Sequence, residues 1–137
     1  MEVVNQVAPL AGQAESFFDV AQDGPIAMVN LLKFRERAQY PDGDRGLSGV
    51  EAYALYGREV IKLVATHGGR FVYGGPVSGI LVGQVEEQWD SFALVEYPSN
   101  ADFHAMTISD EYQKIVHHRM AGLAGQLDIR VQPFPAR

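Results

Sequence analysis

The sequence contains no cysteine. That excludes thiol nucleophiles, disulfide scaffolds, thiolate zinc sites and Cys-ligated iron–sulfur clusters. Positive charge is scarce: eleven Lys+Arg stand against seventeen Asp+Glu, a net charge of −6. A general nucleic-acid binder draws its affinity from neutralising phosphates, so no nucleic-acid partner is expected. Long apolar runs are missing too. None approaches the roughly 18 residues that span a bilayer, and residues 1–9 carry neither a basic stretch nor an apolar core of useful length. A soluble cytoplasmic protein with no membrane partner is the expectation.

What is present is globular. Of 137 residues, 47% are hydrophobic and 20% charged, enough for one core and too few residues for two. Periodicity predicts a short helix over 10–22, ended by Asp23-Gly24-Pro25, then a strand over 26–34. A helix opens at Ser48 or Gly49 and runs to about His67, where Gly68-Gly69 stops it. A strand over 70–73 is broken by Gly74-Gly75-Pro76, with 77–82 continuing or following it, and another strand covers 91–97. Ser99 and Ser109 cap two helical stretches. The second reaches about Leu123 and is stopped by Gly125, and a last strand covers 127–131. Residues 35–49, with Pro41-Asp42-Gly43-Asp44, read as a loop that is either a mobile lid or a packing arm. The division is a helical extension over 1–24 and a core over 25–137. The core order β-α-β-β-α-β is the α+β, ferredoxin-like arrangement.

The strand faces carry a further expectation. Strand 26–34 is mostly apolar on both sides, and strand 91–97 nearly so. Two helices cover one face of such a sheet, so the other face must meet something else. A second copy of the chain is the simplest solution, and the N-terminal helix folded over that face competes with it. On the first long helix the apolar stripe is Val50, Tyr53, Ala54, Gly57, Val60, Ile61 and Val64. Gly57 costs helix propensity there, about 1 kcal/mol against alanine, which a close approach to the sheet would offset.

One set of residues resembles a known family. His67-Gly68-Gly69-Arg70, Gly74-Gly75-Pro76, Trp89-Asp90, Val95-Glu96-Tyr97-Pro98-Ser99, Glu111-Tyr112-Gln113 and Arg119 look like domain-of-unknown-function family 1330. Tyr53-Ala54-Leu55-Tyr56 matches its paired-tyrosine helix start. The resemblance covers about residues 26–132. It implies a ferredoxin-like fold with an antiparallel four-stranded sheet, in the dimeric α/β barrel superfamily, where two such sheets face each other. The longer 33–49 link and the extra N-terminal helix depart from shorter members. Superfamily relatives include cofactor-free monooxygenases, haem-degrading enzymes, isomerase-like proteins and stress-response barrels, and fold does not choose among them.

Five residues are candidates for chemistry. Asn30 interrupts an apolar strand, either to hold a substrate oxygen or as a structural amide. Tyr53 and Tyr56, three apart on one helix, either donate to a substrate oxygen or simply pack, with Tyr53 on the stripe and Tyr56 near its edge. Arg119 falls on an apolar helix face, so it binds an anionic ligand, pairs with an acid such as Glu96, or snorkels to water. His104 is the histidine to weigh for acid/base work or haem ligation. His117 and His118 are neighbours without metal-ligand spacing, and His67 reads as a helix-end cap. No metal site and no cofactor is expected. Three readings compete. One is a small-molecule enzyme, monooxygenase- or isomerase-like, with catalytic Tyr53 and His104 and substrate bound by Asn30, Tyr56 and Arg119. The others are a non-catalytic dimeric binding or stress-response module, and a haem-handling protein.

Overall fold

The computed structural model describes residues 1–19 and 24–135. The chain runs α1 (Gln13–Phe18), β1 (Ile26–Phe34), α2 (Gly49–Thr66), β2 (Arg70–Pro76), β3 (Ser91–Tyr97), α3 (Asn100–Thr107), α4 (Asp110–Gly122) and β4 (Leu123–Val131). The four strands form one antiparallel sheet in the order β2-β3-β1-β4. This is the α+β, ferredoxin-like arrangement, with α2 and α4 packed side by side on one face of the sheet.

Local chemistry sets the helix starts. The Ser48 side chain accepts from the Glu51 amide while Glu51 accepts from the Ser48 amide, a complete capping box. The Ser99 and Ser109 side chains cap α3 and α4 by accepting from the amides of Asp102 and Tyr112. At the other end of α2, Gly68 takes φ +81°, a left-handed turn that glycine adopts at least cost. Asp90 anchors the chain at the start of β3: its carboxylate accepts from the Phe34 amide at 2.8 Å and pairs with Lys33 at 3.3 Å.

Several elements differ from the sequence expectation. Helix α1 is shorter, and the expected turn at Asp23 lies outside the described residues. Strand β2 is continuous through Gly74-Gly75-Pro76, which pair with Ala93, Phe92 and Ser91; its irregularity is a bulge between Phe71 and Tyr73. Residues 77–82 form no strand. Gly125 does not stop α4, because the helix passes directly into β4 at Leu123. Gly125 lies inside that strand, and the Asn5 side chain occupies the space a Cβ would take. The residues of α2 that bury fully are Gly49, Ala52, Tyr56 and Val64, while Val50 and Ile61 are exposed. The stripe is rotated because α2 packs against α4 as well as the sheet.

The main core gathers Ile26 and Met28 of β1, Val64 of α2, Tyr97 of β3 and Phe103 and Met106 of α3. The 35–49 segment is a packing arm. Its Ala38 and Tyr40 are buried against Ala52 and Ala121, its Gln39 amide donates to the Ala121 carbonyl, and the Tyr40 hydroxyl meets His118 Nδ1 at 2.7 Å. The N-terminal segment does not cover the second sheet face. It bridges to the edge of β4 through Gln6 and Gln126, and Phe17 and Phe18 pack onto Phe103 on the helix side. Alternation along the strands therefore leaves Val29, Leu31, Phe92, Leu94 and Val131 on a face that no described element of this chain covers.

Candidate functional site

Between the sheet and the helices lies a cavity of about 1380 Å³, larger than most small-molecule sites. Its walls are aromatic and thioether side chains, among them Tyr53, Tyr56, Phe71, Phe103, Tyr112 and Met120. The N-terminal segment forms one side through residues 6–10 and Phe17–Phe18. Gly57 meets no neighbour within 4 Å and faces this space. The close approach to the sheet expected of it is not made, because the cavity stands between.

All five sequence candidates line this cavity. Strand register explains the polar floor. Asn30 on β1 lies opposite Asp128 on β4, and Leu32 opposite Gln126, so Asn30, Gln126 and Asp128 share the helix-side face. Gln126 Nε2 donates to Asn30 Oδ1 at 2.8 Å, while Asn30 Nδ2 reaches the Met28 and Ala93 carbonyls at 3.3 Å. Both ends of the Asn30 amide are thus engaged by protein. Arg119 enters from α4 and donates to Gln126 Oε1 and, at 3.3 Å, to Met120 Sδ. It does not pair with Glu96, which lies on the opposite face of the sheet and is bound by Arg70 at 3.0 Å.

The tyrosines are held differently from the expectation. Tyr56 is the buried one, its hydroxyl 3.1 Å from that of Tyr112, and burial pushes it well above the ordinary phenol range. Tyr53 is half-buried, packed between Phe34 and Tyr56. Among the described residues its hydroxyl has no hydrogen-bond partner. Burial raises Tyr53 to about 12, so it remains a protonated donor at neutral pH. His104 lines the cavity from α3 with its ring stacked on Phe18, 4.2 Å between centroids.

Two floor residues escaped the sequence reading, Gln126 and Asp128. Asp128 is exposed on β4, where it faces the open cavity. Desolvation by the surrounding walls raises that carboxyl to about 6, against the lowering pull of Arg119. The floor therefore brings a carboxyl, a guanidinium and a neutral phenol together within largely apolar walls. No group of three or more His, Cys, Asp or Glu among the described residues is placed to hold a metal ion.

A family model described as a domain of unknown function, DUF1330, matches residues 47–129, from the arm's end into β4. The crystal structure of RPA0582, a protein of unknown function from Rhodopseudomonas palustris, is 34% identical. The match covers 97% of this chain and 100% of that one, with a TM-score of 0.87. The crystal structure of methylated RPA0582 is 36% identical over 97% and 98% of the two chains, with a TM-score of 0.89. More distant is a dabb family protein with a ferredoxin-like fold from Mesorhizobium loti. It is 12% identical over 82% and 99% of the chains, with a TM-score of 0.51, a similarity of fold alone. No curated protein matches. The family match over most of the chain, with identity above one third to a full-length relative, makes this chain a member of the DUF1330 family.

Proposed function

We propose that the protein is a small-molecule enzyme of the cofactor-independent monooxygenase or isomerase type. Its first step is removal of a proton from an apolar substrate inside the cavity. The observation that carries this reading is the floor: the Asp128 carboxyl shares an aromatic cavity with Arg119 and with the Tyr53 hydroxyl, which has no hydrogen-bond partner among the described residues. Asp128 takes the proton, and the charge left on the substrate moves to an adjacent oxygen. Tyr53 donates a hydrogen bond to that oxygen and Arg119 supplies a positive field, both stronger against apolar walls than in bulk water. Return of the proton at another carbon is an isomerisation. Capture of the carbanion by dioxygen gives a peroxide, which takes up a proton and loses water to leave a carbonyl, a mono-oxygenation that needs no cofactor. Gln126 and Asn30 fix Arg119 in place.

The test is hydrogen–deuterium exchange at the acidic C–H of 2-tetralone in D2O, followed by proton NMR. Exchange faster than in buffer supports the enzyme reading. Binding of 2-tetralone without accelerated exchange favours the non-catalytic binding module instead.

The active form in this reading is a homodimer joined through the uncovered sheet faces. Val29, Leu31, Phe92 and Leu94 sit at the centre of that face, and burying them against a second copy removes the apolar patch from water. Wild type is expected to scatter light as a species of twice 15.1 kDa, and Leu94→Lys, a charge at the middle of the face, as the single chain. A wild-type species of one chain's mass would remove the dimer from the proposal.

A further inference from the structure

Resting on the enzyme reading of the cavity, we infer that its substrate is an apolar acid whose carboxylate is gripped by Arg119. The side chain is half-buried on α4 inside the cavity lining. Its two hydrogen-bond partners, the Gln126 amide oxygen and the Met120 sulfur, are both neutral. The ion pairs among the described residues all involve other cations: Lys33, Arg37, Arg45, Lys62 and Arg70. A half-buried guanidinium without a carboxylate partner among the described residues has lost part of its hydration, a cost that a bound anion would offset. It has five N–H donors in a planar fork, and the described residues engage two of its nitrogens, so donors remain for a carboxylate.

Asp128 does not fill that role. It lies opposite Asn30 on β4 without coming within ion-pair distance of Arg119, and its charge acts on a bound anion as a repulsion. The other carboxylates on the lining, Glu15 and Asp19, are exposed on the N-terminal segment, where water screens them. The rest of the wall is apolar or a neutral phenol, hydroxyl or amide, apart from His104, which is stacked on Phe18. One fixed cation within an aromatic wall selects one acidic group on an otherwise apolar body. With the carboxylate on Arg119, Tyr53 is free to donate to the oxygen that gains charge when Asp128 removes the proton.

The probes are 2-naphthoate and its neutral isostere 2-naphthamide, titrated calorimetrically into the full chain. Wild type is expected to prefer the carboxylate. Arg119→Gln should weaken 2-naphthoate about 30-fold, equivalent to about 2 kcal/mol at 1.4 kcal/mol per tenfold, and leave 2-naphthamide within about twofold. Asp128→Asn should tighten 2-naphthoate by removing the repulsion, again with little effect on the amide. Arg119→Lys, which keeps the charge but loses the fork, should fall between wild type and Arg119→Gln, and circular dichroism checks that each variant is folded. Equal affinity for both probes, unchanged by Arg119→Gln, overturns the acid assignment while leaving the cavity and its proton chemistry standing. Failure of both probes to bind overturns the acid assignment together with the cavity's use as a ligand site. Preference for the carboxylate without accelerated exchange of 2-tetralone supports the ligand class and counts against the enzyme reading alone.

Discussion

Asp128→Asn is expected to slow deuterium exchange of 2-tetralone by about 100-fold or more, the usual contribution of a positioned general base. Asparagine keeps the shape of the side chain and removes its basicity. In wild type the exchange rate should rise with pH and level off above about 6, because only the ionised carboxylate accepts a proton and desolvation sets its midpoint there. The stability of the fold gives an independent reading of the same group. The folded-state value of about 6 lies above the ordinary 3.8. Between those values the folded protein binds more protons than the unfolded chain. Stability due to Asp128 is therefore fully present below about 4, is lost as pH rises toward 6, and is flat beyond. Asp128→Asn should raise the melting temperature at pH 7 and change it little at pH 4. A variant that exchanges as fast as wild type would take the base role from Asp128. A melting difference that does not depend on pH would contradict the raised carboxyl.

Gly122→Ala is expected to destabilise the protein by about 3 kcal/mol, at the upper end for overpacking a close-packed contact. A Cβ on Gly122 would stand 2.5 Å from the Gly49 carbonyl oxygen and 3.0 Å from the Tyr53 amide nitrogen. Both are backbone atoms of α2, so no side chain can swing aside and the two helices must separate. Gly49→Ala should behave alike, since its Cβ would collide with the Arg35 carbonyl and lie 2.7 Å from the Gly122 carbonyl. The same substitution at Gly57 should act in the opposite sense. Gly57 is mid-helix with no neighbour within 4 Å of a built Cβ, so alanine gains helix propensity and stabilises by up to about 1 kcal/mol. Urea unfolding measures all three. Equal effects at Gly122 and Gly57 would mean that α2 and α4 do not meet at the glycine contact.

Some of this was legible because it is local. The extent of β1 and β3 followed from runs of strand-forming residues, and the start of α2 from Ser48, whose cap needs only Glu51 three residues on. Elements failed where a distant partner decided. Gly74-Gly75-Pro76 reads as a break, yet pairing with Ser91, Phe92 and Ala93 holds it in the sheet. Gly125 reads as a helix stop, yet it is the seat for Asn5, 120 positions earlier in the chain. The apolar stripe of α2 was misjudged because α4 and the packing arm cover a second side of the helix.

The candidate site divides along the same line. Arg119 and Asn30 stood out because each interrupts an apolar pattern. Asp128 did not, because in Leu127–Val131 the polar residues alternate with apolar ones as they do on any strand with one wet face. A signal was there: Gln126, Asp128 and Arg130 fall on one face in step. Which face turns inward is invisible to alternation, whose period of two is the same either way. By itself the sequence determined the element order, the absence of thiol chemistry and a sheet apolar on both sides. Only the tertiary structure decided that the polar face of β4 looks into the cavity and the apolar face out. The reason is that the pairing of β1 with β4 sets Asp128 opposite Asn30, under the helices that carry Tyr53 and Arg119.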